Sequence, residues 1–97
     1  MVVLNDYDVR VVKGRGEFTK HRHPDTDEMF VGLTGSLTIR IGDADVTLAP
    51  GQIYVVPRGV EHQPISPDGA EALLVEPSTT INTRDTPGGL TAERRVI

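Results

Sequence analysis

The chain has 97 residues, a formal net charge of −4 and no cysteine. That length suits one domain with one small core, and the lack of cysteine excludes disulfides, thiolate metal sites and a cysteine nucleophile. The scattered charges offer no basic face for nucleic acid, and no apolar run approaches the ~20 residues of a membrane-spanning helix.

From the N-terminus, "NDYDVRVVKG" supplies early strands, and "KGRG" reads as a break. The start "MVVLNDYDVR" is too short and acidic for a signal peptide, so a soluble, cytoplasmic protein is expected. In "HRHP", Pro24 biases His23 toward extended backbone. On a strand His21 and His23 would then project to one face, with Arg22 on the other. "PDTD" turns the chain, and "EMFVGL" is the next strand, opened by Glu28 and carrying Phe30 on the same face. "LTIRI" (37–41) alternates Leu37, Ile39 and Ile41 with Thr38 and Arg40, so Arg40 is expected on a solvated outer face. "IGDADV" reads as a tight hairpin in which Gly42 or Asp43 takes positive φ. "DVTLAP" and "QIYVV" are further strands, the latter with Tyr54. "PRG" is a turn in which Arg58 is either a plain turn residue or an anion contact, and "SPDG" is another break. "EALLVEP" is the last strand, with Ala72, Leu74 and Glu76 on one face.

Short strands separated by Gly and Pro turns, with no helical stripe, predict an all-β sandwich or barrel with little helix. One domain is expected over residues 1–97, with a core of about 2–76. Residues 77–97, "PSTTINTRDTPGGLTAERRVI", form a tail too poor in apolar residues to order itself. It is expected to lie over its own barrel or a partner's. Exposed strand edges predict a homodimer, with "VVLNDYDVRVV" pairing to a partner's sheet.

The chemistry concentrates in the three histidines and Glu28. Two imidazoles and a carboxylate on one face are a usual donor set for divalent iron, manganese, nickel or zinc. His62, after the "PRG" turn, could close the set.

The spacing of these residues resembles the two motifs of the cupin family. His21-x-His23, four residues, Glu28, six residues and Gly35 match the first. Gly51, five residues, Pro57, Arg58, Gly59, two residues and His62 match the second. Gly16 lies one residue too close to His21, and Ser66 stands where the second motif ends in Asn. The chain is similar to small bacterial cupins described as related to mannose-6-phosphate isomerase. The resemblance implies a single jelly-roll barrel (a double-stranded β-helix) holding one divalent metal ion on His21, His23, Glu28 and His62. Such a site would take small, oxygen-rich ligands. Metal-dependent isomerase or epimerase chemistry is expected, with Glu76 as the base at the barrel mouth and Phe30 and Tyr54 lining the substrate pocket. A non-heme iron dioxygenase and a non-catalytic binding module or sensor are the alternatives.

Overall fold

The structure, a computed structural model, describes residues 1–18, 20 and 22–78. Seven strands account for its regular structure: β1 (Val2–Leu4), β2 (Tyr7–Glu17), β3 (Glu28–Gly35), β4 (Leu37–Ile41), β5 (Ala44–Leu48), β6 (Ile53–Val56) and β7 (Gln63–Pro77). No helix occurs among the described residues. Every pairing is antiparallel, in the order β1-β2-β7-β3-β6, with β4 joined to both β5 and β7.

β7 organises the barrel. Its first residues pair with β4, and its second half lies between β2 and β3. The sequence reading placed breaks at "KGRG" and "SPDG", but neither ends a strand. Gly14 pairs with Ala70 and Gly16 with Ser66, so Arg15 alone faces residues 67–69. The two apparent breaks are one irregularity in a long ladder, where a bulge bends both strands. Gly69 sits there with φ +93°. Gly35, with φ +73°, packs so closely that a Cβ would lie 2.4 Å from the Gly69 carbonyl oxygen. Two glycines thus let the end of β3 pass over the bend in β7.

The hairpins follow their turn chemistry. Ile41 pairs with Ala44, which leaves Gly42–Asp43 as a two-residue loop, and Gly42 takes the positive φ. Leu4 pairs with Tyr7 around Asn5–Asp6, a turn absent from the sequence-derived breaks; Asn5 has φ 54°, a conformation asparagine tolerates.

The core lies between the inward face of the main sheet and the β4–β5 hairpin. Phe30, Val56, Ala70, Ala72 and Leu74 from the sheet meet Leu37, Ile39 and Leu48 from the hairpin in one buried cluster. Arg40 is on the outer face as expected, half exposed beside Asp45. Ser66, in place of the motif's Asn, is buried, and its hydroxyl donates to the Ser36 carbonyl (2.9 Å). It fastens β7 to the β3–β4 connection. Pro77 is still part of β7; the rest of the expected tail, from residue 79, lies outside the described residues.

Candidate metal centre

The inward face turns polar at the end of the sheet where β3 begins and β7 ends. Glu28 opens β3 on the same face as Phe30, and both are 2% exposed. Glu76 follows Ala72 and Leu74 along β7 and is 1% exposed. The carboxylate expected at the end of this strand is deeply buried there. His62 stands immediately ahead of β7, 2% exposed, with its ring edge-on to Phe30 at 5.8 Å.

His23 reaches the site differently from the sequence expectation. It lies on no strand, in the connection between β2 and β3. Its backbone is tethered to the second-motif turn, where the Gly59 amide donates to the His23 carbonyl (2.7 Å). A second tether runs between the same loops. The Arg58 amide donates to Asp27 Oδ1 (2.8 Å), and the Arg58 side chain points at the same oxygen (3.4 Å). Arg58 is thus a turn residue holding "PDTD" against "PRG". His21 lies outside the described residues.

The side-chain heads converge. His62 Nε2 is 2.9 Å from Glu28 Oε1, and His23 Nε2 is 3.6 Å from Glu28 Oε2 and 3.5 Å from Glu76 Oε2. Donor atoms of His23, Glu28 and Glu76 all lie within 4.8 Å of one another. The His62 Nδ1 sits 3.0 Å from the Val60 carbonyl, which can only accept. That contact puts the ring proton on Nδ1 and aims the Nε2 lone pair at the Glu28 carboxylate. A lone pair facing a carboxylate at that distance calls for a proton or a cation between them.

The spacing suits a cation. Two donors held at about 2.1 Å from one divalent ion lie about 3.0 Å apart at a right angle and about 3.4 Å at a tetrahedral angle. The observed separations of 2.9–3.6 Å are close to that range. Glu76 Oε2 is buried 3.5 Å from His23 Nε2, and the Glu76 carboxyl is within hydrogen-bond reach of Glu28. His23, Glu28 and Glu76 therefore form a donor set that fits a divalent metal, while His62, in contact with Glu28, falls outside that mutual cluster.

Two charged residues complete the site, and the sequence reading had assigned neither to it. Arg10, on β2, forms an ion pair and hydrogen bond with Glu76 Oε1. Asp8, 1% exposed, is paired across the ladder with Glu76 and accepts a hydrogen bond from the Ser78 hydroxyl (2.8 Å). Burial, then the neighbouring Glu28 carboxylate, push the Glu76 carboxyl up from 4.5 to about 7, against the opposing pull of Arg10 and His23. Burial favours the neutral acid and a second negative charge adds to it. Tyr54 pairs with Phe30 across β3–β6 and is partly buried against the core.

A barrel of antiparallel strands with imidazoles and carboxylates gathered inside it is the architecture of the cupins. The cupin domain model matches residues 7–76, and the chain belongs to this family. A cupin-2 domain containing protein from Shewanella frigidimarina has a crystal structure similar to this one. Its TM-score is 0.76 at 42% identity, covering 78% of this chain and 74% of that one. The "Uncharacterized protein YdbB" of Bacillus subtilis is 36% identical over 61 residues, 62% of this chain and 54% of its own length. The 3-hydroxyanthranilate 3,4-dioxygenase of Brucella anthropi is 29% identical over 86 residues, 79% of this chain and 47% of its own length. The chain spans about half the length of these curated relatives. No helix among the described residues is long and apolar enough to cross a membrane.

Proposed function

We propose that the chain is a metal-dependent enzyme that moves a proton on a small oxygenated metabolite, in the manner of an isomerase or epimerase. His21, His23, Glu28 and His62 would hold one divalent ion of iron, manganese, nickel or zinc. The observation that carries the reading is the placement of Glu76. Its buried carboxyl faces His23 at 3.5 Å and lies within the same cluster of donor atoms as Glu28.

When bound, the ion supplies Lewis-acid polarisation of a carbonyl oxygen. Glu76 supplies the base. With its carboxyl pushed up to about 7, it can take a proton and return it near neutral pH. Arg10 holds Glu76 Oε1, which leaves Oε2, on the His23 side, as the atom that accepts the proton. His62 is oriented by its Nδ1 contact to Val60, and Phe30 and Tyr54 provide the apolar wall that excludes water.

The test is solvent deuterium exchange at the carbon beside the carbonyl, in a screen of hydroxy-ketones, keto-acids and sugar phosphates with metal-loaded protein. Exchange lost in Glu76→Gln with metal content retained supports the reading. Ligands that bind without exchanging would replace the enzyme by a binding module. The similarity to 3-hydroxyanthranilate 3,4-dioxygenase favours a second reading, an iron-dependent dioxygenase. Oxygen consumption by the iron-loaded protein with an aromatic substrate would select it.

A further inference from the structure

One turn touches the surroundings of the candidate ligands His23, Glu28 and His62 together. It runs from Pro57 to Val60, closed by the Val60 amide on the Pro57 carbonyl (3.3 Å), with Gly59 at φ +79°. A positive φ at the third position marks a type II turn. Three further polar groups of the turn each meet a segment that carries a ligand. The Gly59 amide donates to the His23 carbonyl (2.7 Å). The Arg58 amide donates to Oδ1 of Asp27, the residue before Glu28 (2.8 Å). The Val60 carbonyl sits 3.0 Å from His62 Nδ1.

We infer that Asp27 is a positioning residue for the metal centre: by accepting the Arg58 amide it fixes Glu28 relative to the two histidines, and so sets the affinity for the ion. The inference rests on the proposed reading of His23, Glu28 and His62 as ligands. His23 lies on no strand, so no ladder fixes it, and its place depends on how the loop before β3 is held to the turn. A metal site needs its ligand distances held to about 0.2 Å, so a turn that drifts from Asp27 loosens the ion. The acceptor oxygen carries the effect, not the charge. The Arg58 and Asp27 side chains are 66% and 48% exposed, with Nε 3.4 Å from Oδ1, and an exposed ion pair contributes little. The amide contact is shorter, and its donor is fixed by the turn.

The experiment titrates metal-stripped protein with cobalt(II) and reads affinity and coordination geometry from the visible absorption of the bound ion. Asp27→Ala is expected to bind roughly tenfold more weakly, as for groups that orient metal ligands, with an altered band pattern. Asp27→Asn keeps an acceptor oxygen for the amide and is expected to bind like wild type. Arg58→Ala keeps the amide and is expected to stay within about threefold. Arg58→Pro removes the amide hydrogen while suiting the second position of the turn. It is expected to match Asp27→Ala, and the double variant to bind no more weakly than either single one. If Asp27→Ala does not fold, Arg58→Pro decides the matter. Wild-type affinity in Asp27→Ala and Arg58→Pro overturns the inference and leaves the ligand reading intact. Equal weakening in Asp27→Asn and Asp27→Ala overturns it too, since charge would then be the cause. So does a lower urea midpoint of the stripped variants with unchanged cobalt affinity, which is a structural role alone. A wild-type chain that binds no cobalt overturns the ligand reading and the inference with it.

Discussion

Replacing Glu76 with Gln should change how the stability of the metal-free protein depends on pH. The carboxyl moves from 4.5 to about 7 on folding. Between those values the folded chain keeps a proton that the unfolded chain has released. The unfolded state then binds fewer protons, so stability falls as pH rises through this window. Below about 4.5 both states are protonated and the carboxyl contributes nothing; above about 7 both are ionised and the loss is complete. A displacement of about 2.5 pKa units corresponds to about 3 kcal/mol. That figure already includes the offsetting attraction of Arg10. Glutamine keeps the shape and an acceptor for Arg10 but cannot ionise. The stability of Glu76→Gln relative to wild type should therefore rise by about 3 kcal/mol between pH 4.5 and 8. The assay is urea unfolding of metal-stripped protein followed by far-ultraviolet circular dichroism across that range. Taking the difference between the two proteins cancels the titrating groups that do not interact with Glu76; Glu28 and His23, which do, remain in it. A difference that stays constant over the range would refute the claim that this carboxyl is buried beside Glu28.

Two further outcomes follow from the packing. His62→Ala removes the nitrogen 2.9 Å from Glu28, and metal analysis after dialysis should show the ion falling well below one per chain while the fold persists. Ile39, 0% exposed at the centre of the core, should cost about 2–5 kcal/mol when cut to alanine, read as a lower urea midpoint with an unchanged slope.

Some of this was legible in the sequence because both faces of an element were simple. The β4–β5 hairpin alternates core and solvent positions, so Leu37, Ile39 and Leu48 declare themselves inward, and Gly-Asp marks the turn. The motif spacing was equally direct for Glu28 and His62, because each sits at a strand end whose register a turn fixes. The long strands were not legible as such. A Gly-rich, polar stretch reads as a loop, and only the partner strand across the ladder makes "KGRG" and "SPDG" two sides of one bulge. His23 was expected on a strand. Its position depends instead on the Gly59 amide, a contact made between loops and far along the chain.

β2 misleads in a more informative way. In "YDVRV" the usual rule turns the valines inward and the charges outward. The fold does the reverse: Asp8 and Arg10 point to the site, and Val9 and Val11 point out. The same inversion holds where Glu28 precedes Met29 and Val75 precedes Glu76. Each site residue on the sheet is a chain neighbour of an apolar residue on the outer face. A one-residue slip would bury the valines but eject Arg10 from Glu76, leaving a buried carboxylate without its cation. Register is therefore held by the polar side of the sheet. The apolar side is left on the outer face, where Val11 and Ile53 are exposed.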